Sequence, residues 1–474
     1  MNPFYDTEQK RGFVFLTNNF TLTNSKLSGI GTDTLTNLQI ANLTGGSSAN
    51  TFTVSGWTGT GTLAGAGGAD TIVASKNVNF TLSDSALQSS DGMNLALSGF
   101  TKATLTGGAG ANTITVDDWT GTGTLAGGSS SDTLSVTRDG NLTLTTASFT
   151  TTGSVMAFGS LTLSGFEAAR LTGGLENNTF TVSGWNGTGS IAGGGGIDTV
   201  AATRNANVTL SDTQLLASNN LIMTLTGIGI GNLSGGSSAN IFTASDWTGT
   251  GTLDGLSGVD RFVAVRDTDM TLTNTAFAAT GFGTLTLAAI ETANLSGGAS
   301  ANKLVANQFT LGSVTLQGAN GDDVLLGGTK NDSLVGGSGR DMLIGGAGAD
   351  ILIGDVTVTG SSGEDILIGG TTSFSGGISA TPTAAELASL DALMSEWRRP
   401  DLAYAARVGN LRDGGGLNGT VQLNTPTVQN DAKAPDNLKG STPPTPNIAD
   451  LDWLFKSTGD VMDALVAGEI NTII

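Results

Sequence analysis

Residues 318–353 read GANGDDVLL, GGTKNDSLV, GGSGRDMLI and GGAGADILI, four nine-residue units without a break, and after GDVTVT a fifth follows as GSSGEDILI at 360–368. Each unit approximates G-G-x-G-x-D-x-U-x, where U is a large apolar residue. Glycine at the first, second and fourth positions lets a turn close with its carbonyl oxygens directed at one spot. Aspartate at the sixth position adds a carboxylate, and the eighth residue points into a core. Two units make one coil, so alternate units stack. The spacing predicts Asp323, Asp341 and Asp365 on one edge, with Asp332 and Asp350 on the other. The turn glycines are Gly318, Gly321, Gly327, Gly328, Gly336, Gly337, Gly339, Gly345, Gly346, Gly348, Gly360 and Gly363. Ala319 at a second position, Lys330 at a fourth and the serines after Gly360 depart from the template and weaken individual turns.

Upstream the same glycine phrase recurs on a longer period. Trp57, Trp119, Trp185 and Trp247 sit in TFTVSGWTGTGTLAG-like contexts on a period of ~62 residues, the step from Trp119 to Trp185 slightly longer. Phe309 continues the series in a matching context. Each copy opens on a strand such as FTLTN and reaches a glycine pair such as TGGSSAN. Within a copy the pair returns after about 20 residues, at Gly45 and Gly65 and again at Gly107 and Gly127. Three coils of about 20 residues therefore fit one copy, the arithmetic of stacked parallel strands over a narrow core. The sixth position is Asn at 50, 112, 178, 240 and 302, and Asp at 70, 132, 198 and 260 in the next coil. Such a series is read as structural, since Asn can bond along stacked coils without any ion.

The nonapeptides resemble the RTX, or haemolysin-type, calcium-binding repeat family over about 50 residues. That resemblance implies Ca²⁺ held between successive coils by the five aspartates and the glycine turns. Coordination by oxygen alone suits calcium better than magnesium, which prefers to keep its waters. Eight acidic residues against Lys330 and Arg340 between Gly318 and Ile368 make a cation the natural counterpart. A plain glycine–aspartate solenoid without metal is the alternative. The family resemblance further implies export, commonly by a type I system that reads the C-terminus. The tail, from LDALMSEWRRP to LDWLF, is similar to the ends of large repeat-bearing surface proteins of planctomycete-type bacteria.

The fold expected is all-β: a right-handed parallel β-solenoid of five copies over 1–317, a calcium-binding parallel β-roll over 318–370, and a helical or irregular region with a possible export signal over 371–474. Seven of the eight prolines lie at Pro382 or later. A helix is expected from Thr383, where Thr383 and Glu386 form a capping box, with Leu387, Leu390, Met394 and Trp397 on one face and Pro400 ending it. Residues 424–447 read as a linker, with DNLKGS and LDWLF as a decayed nonapeptide pair, and a second helix is expected from Asp460 to Ala467.

Composition narrows the function. A formal charge of −20 disfavours nucleic acid and anionic membranes. The absence of Cys and His removes disulfides, Ser-His-Asp and Cys-His catalysis and the usual zinc sites. No apolar run approaches the roughly 18 residues of a membrane span. The first residues lack a signal peptide's apolar stretch and enter strand-like sequence without a cap, which leaves room for a longer parent protein. The tryptophans, about 14 Å apart at three coils per copy, read as corner packing rather than a sugar-stacking ladder. The expected function is calcium binding in a secreted or cell-surface structural or adhesive protein, with extracellular polysaccharide or protein as further partners and no membrane insertion. A β-helical calcium-dependent polysaccharide lyase or hydrolase is one alternative, and an RTX-type exported toxin is another.

Overall fold

The computed structural model describes residues 4–6, 11–15, 19–29, 31–153, 159–355, 363–376, 380–431, 435–441, 451–463 and 470–473. Strands dominate, most pairs are parallel, and the chain divides into two compact units, 1–203 with 212–232 and 204–211 with 233–474.

In the first unit, Thr and small residues alternate with Phe, Val, Ile and Leu, so one side of each strand turns inward. Thr51–Gly56 pairs in parallel with Asp70–Ser75, which pairs with Phe100–Thr106 and onward with Thr122–Ala126. On the opposite side Ile40–Thr44, Thr60–Ala64 and Asn94–Ser98 stack in register, with Asn42 beside Thr62 and Thr62 beside Ala96. Phe52, Val54, Ile72, Leu63 and Leu105 are fully buried between the two ladders, as are Trp57, Trp119 and Trp185 at their corners. One departure from uniform parallel coils is an antiparallel excursion in each copy. Phe80–Ser83, Ala86–Ser89 and Asn94–Ser98 form such a meander, and Asn141–Thr145, Ser148–Thr152 and Leu161–Ser164 form another. The turn residues Ser83–Ser85 and Asp91–Gly92 reverse the chain there.

The second unit begins with the same architecture. Met270–Thr273, Ala276–Ala279 and Leu285–Ala288 repeat the meander, and Trp247 and Phe309 fill buried corners. At Val314 the coil shortens. Val314–Asn320, Ser333–Ser338 and Ile351–Asp355 pair in parallel, Thr315 beside Ser333 and Ser333 beside Ile351. Lys303–Gln308, Val324–Leu326, Met342–Ile344 and Ile366–Ile368 form the facing ladder. The eighth-position residues Leu325, Leu334, Leu343, Leu352 and Leu367 are all fully buried between the ladders, as the template requires.

The roll does not stop at 370. Asn437–Ser441 pairs in parallel with Ile351–Asp355, and Trp453–Lys456 pairs with Ile366–Ile368. DNLKGS and LDWLF are thus a working pair of turns and strands, separated from their neighbours by an insertion. The segment read as a linker over 424–447 contains one of these strands. Asp460 is not the start of a helix: Val461–Met462 is a strand beside Asn437–Leu438, Asp463 is not helical, and 464–467 of the expected helix lie outside the described residues, as does Gly468.

The insertion carries two helices, α1 (Ala384–Trp397) and α2 (Tyr404–Asp413). Thr383 caps α1 through the expected reciprocal bonds with Glu386. Sequence reading missed α2 because its N-cap is Ala403, without a side-chain cap, and Gly409 and Asn410 lie inside it. Packing stabilises it instead, with Tyr404, Val408 and Leu411 buried. Together α1 and α2 cover one outer face of the roll. Val324 and Leu326, Met342 and Ile344, and Ile366 and Ile368 are buried under Leu390, Leu393, Met394 and Trp397. The seventh and ninth positions are therefore buried in alternate units only, and Val335, Ile351 and Ile353 of the intervening units stay partly or wholly exposed. Trp397 Nε1 also donates to Glu364 O at 2.6 Å, and Tyr404 OH donates to Asp452 O at 2.7 Å. Glu364 bridges Arg340 (2.9 Å) and Arg407. We expect Trp397→Ala to destabilise the second unit by about 3–5 kcal/mol in urea denaturation, the cost of emptying a large buried site. A loss below about 1 kcal/mol would mean the helices only rest on the roll.

Candidate metal centre

Two aspartate ladders run along the roll. On one edge Asn302 N–H donates to Asp323 Oδ1 at 2.7 Å, Asp323 N–H to Asp341 Oδ1 at 2.7 Å, and Asp341 N–H to Asp365 Oδ1 at 2.8 Å. Asp365 N–H then donates to Asp452 Oδ1 at 2.8 Å. On the other edge Val314 N–H donates to Asp332 Oδ1, Asp332 N–H to Asp350 Oδ1 and Asp350 N–H to Asp436 Oδ1, each at 2.8 Å. The structure thus places Asp323, Asp341 and Asp365 on one edge and Asp332 and Asp350 on the other. It adds Asp436 and Asp452, which sequence reading had not placed among the sites. Their signal was present in DNLKGS and LDWLF, but the long insertion between Gly369 and Asp436 breaks the spacing.

Each carboxylate curls over the first glycine of its turn. A Cβ on Gly318, Gly336 or Gly345 would stand 2.3, 2.3 or 2.5 Å from the turn's own aspartate Oδ2, so no side chain fits. For Asp365 that place is taken by Gly354, 2.1 Å from Oδ2 on the same measure, whereas Gly360 lies outside the described residues. Gly363 is needed for another reason: a Cβ there would overlap the carbonyl of Gly339. Positive φ at Gly337 (110°), Gly339 (133°), Gly346 (103°) and Gly348 (128°) closes the turns, and Gly321 takes 109°. Ala319 adopts φ 81° at a second position, a strained conformation for a residue with a Cβ.

The second oxygen of these carboxylates is the informative atom. Oδ2 of Asp323, Asp341, Asp350 and Asp365 is buried and makes no hydrogen bond. Carbonyl oxygens border the same spaces, Gly336 O beside Gly318 and Gly369 O beside Gly345. Buried acceptors facing acceptors need something positive between them. Among the described residues no three acidic side chains converge on a point. Carboxylates alone would not hold an ion, and turn carbonyls must complete its shell, as in the oxygen-only coordination of calcium.

Electrostatics agree. Burial pushes the Asp323 and Asp332 carboxyls up to about 7 and Asp350 up to about 8, and neighbouring aspartates add to the rise at Asp323 and Asp350. Asp341 and Asp365 are also raised well above the ordinary carboxylate range by burial, with carboxylates along their ladder adding to it. Asp436 rises to about 7 from burial and the charges of Asp460 and Asp431. Without a cation, every turn resists ionisation.

The Lys330 unit is the exception. Gly328 lies outside the positive-φ set, and its N–H donates to Asp332 Oδ2 at 2.6 Å, so that oxygen is already satisfied. We expect Asp332→Asn to lower calcium affinity less than Asp341→Asn, by roughly 1–2 kcal/mol, in parallel calorimetric titrations. Equal losses would contradict the difference between the two turns.

A parallel β-solenoid that passes into a roll with stacked, unpartnered carboxylates defines a repeat protein built around a hard cation. Residues 317–352 and 353–371 match the family model of the RTX calcium-binding nonapeptide repeat, in four copies. The chain therefore carries RTX-type repeats, and calcium is their ion. No curated protein matches the chain. No helix among the described residues is long and apolar enough to cross a membrane.

Proposed function

We propose that Asp323, Asp341 and Asp365 on one edge, and Asp350 with a weaker Asp332 on the other, hold calcium between successive turns. Carbonyls of Gly318, Gly327, Gly336, Gly337, Gly345 and Gly346 complete the shells. The bound ions rigidify a secreted or cell-surface structural or adhesive protein. The five copies over 1–317 serve as scaffold, 318–370 carries the metal, and 371–474 covers and extends the metal-bearing coils. Polysaccharide or protein outside the cell is the surface such a scaffold meets. The row of buried Oδ2 atoms without a hydrogen-bond partner carries this reading, because such a stack, once ionised, needs a cation to offset its charge.

Circular dichroism of the full chain during a calcium titration tests it, with Asp341→Asn and Asp350→Asn as comparison. A calcium-dependent gain of β-signal, shifted to higher calcium in the variant, is expected. Identical spectra with calcium and with chelator would reduce the nonapeptides to ordinary turns. Secretion is tested separately, by following the chain in culture medium and on intact cells with a type I exporter present or deleted.

A further inference from the structure

The solenoid copies repeat the roll's turn outside the nonapeptides. Asp70, Asp132, Asp198 and Asp260 are buried at 0% exposure, one in each of four copies. Their Oδ1 atoms accept the N–H of Asn50, Asn112, Asn178 and Asn240 of the preceding coil at 2.7, 2.7, 2.7 and 2.6 Å. The Oδ1 atoms of those asparagines accept the N–H of Gly46, Gly108, Gly174 and Gly236 in their own turns. Asn112 and Asn240 also donate their amides to Asn77 and Asn205 of an earlier coil, each at 3.4 Å. The four aspartates differ, because each Oδ2 is buried with no hydrogen-bond partner.

Each Oδ2 lies over a first glycine, as in the roll. A Cβ on Gly127 or Gly255 would stand 2.8 or 2.5 Å from it. The same point is 1.9 Å from Gly165 O in the first case and 2.0 Å from Ala289 O in the second. Carboxylate and carbonyl are both acceptors, so neither can satisfy the other.

The following coil separates the copies. Thr101, Glu167, Gly229 and Glu291 stand at its corresponding positions. Glu167 Oε2 accepts the Asp132 N–H at 2.9 Å, and Glu291 Oε2 accepts the Asp260 N–H at 2.7 Å. In the roll the next aspartate makes that same bond. Two of the four turns thus gain a second carboxylate, while those at Asp70 and Asp198 do not.

We propose that Asp132 with Glu167, and Asp260 with Glu291, form two further calcium sites within the solenoid, outside the nonapeptides. This inference rests on the turn chemistry read in the roll, but its residues are separate. Glu167 lies at the surface, which gives the ion a route in, while Asp132 supplies the buried oxygen. A turn with two carboxylates and a carbonyl beside the buried Oδ2 offers the oxygen-only coordination that suits calcium.

Equilibrium dialysis of the full chain with calcium alone at pH 7.5 counts the ions. Glu167→Gln with Glu291→Gln, and separately Asp132→Asn with Asp260→Asn, should each bind two fewer ions than wild type. The calcium midpoint of the roll's circular dichroism change should move less than twofold. An unchanged ion count in a folded Glu167→Gln/Glu291→Gln chain overturns the proposal and leaves these turns purely structural. If the Asp pair misfolds, the glutamate pair, which leaves the buried residues intact, decides alone. A wild type that binds two ions, both lost in the glutamate pair, would sink the reading of the roll and leave this one standing. A wild type that binds none would sink both.

Discussion

Chelating calcium at pH 8 is expected to strip amide-exchange protection from 324–326, 333–338, 342–344, 351–355 and 366–368, while strands 51–56, 70–75 and 100–106 keep theirs. The difference follows from how each stack is neutralised. The upstream coils alternate Asn with Asp, and each asparagine satisfies its own turn with a neutral amide. In the roll every turn carries a carboxylate, and along the ladder Asp323 bonds to Asp341 and Asp341 to Asp365. Ionised without a partner, such a stack repels itself across the narrow spacing between coils. At calcium about 100 times a site's dissociation constant, each independent site contributes about 2.7 kcal/mol. Total stabilities of folded domains are only about 5–15 kcal/mol, so three or four sites decide whether these coils form. Hydrogen exchange read by mass spectrometry resolves the two regions in one experiment. Equal protection with and without calcium in the roll would refute the coupling.

Acidification is expected to restore the metal-free roll. The sign comes from the direction of the carboxyl shifts. Asp323, Asp332 and Asp436 ionise near 7 and Asp350 near 8 in the folded chain, against about 3.9 when unfolded. Between those values the folded chain binds more protons than the unfolded one, so stability falls as pH rises, by up to about 1.4 kcal/mol per pH unit for each group. Stability in chelator is therefore complete below about pH 4 and lost as pH passes through 7 to 8. Calcium takes the place of those protons and binds only the ionised form, so its stabilising effect is largest at pH 8 and fades toward pH 5. Thermal melts with chelator at pH 5 and pH 8, repeated with calcium, test both limbs. A metal-free roll more stable at pH 8 than at pH 5 would contradict the assignment.

The nonapeptide spacing determined much of this before any coordinates. Two ladders of aspartate, buried leucines at the eighth position and the capped helix at Thr383 all follow from residue type at fixed intervals. The features that escaped have physical reasons. Helix α2 has no side-chain N-cap and is held by tertiary packing of Tyr404 and Val408, which no local pattern displays. Asp436 and Asp452 belong to the ladders, yet an insertion hides their phase. A buried basic series was overlooked although its period was visible: Lys76, Arg138, Arg204 and Arg266 each follow a corner tryptophan at the same interval. Arg138 and Arg266 donate to the carbonyls of Trp119 and Trp247 at 3.0 and 2.7 Å, fastening the corner. Period alone could not separate that buried role from a solvated surface charge.

The ladders also have a direction. Each aspartate serves the backbone of the coil before its own, so removing one first loosens its N-terminal neighbour. For Asp350 and Asp365 the bond comes from Asp436 and Asp452, 86 and 87 residues further along the chain. A ribosome releases residues in order, and these two coils must wait with unsatisfied N–H groups until the insertion has emerged and the chain has returned. The last turns of the roll are thus completed from downstream, and their assembly cannot keep pace with synthesis.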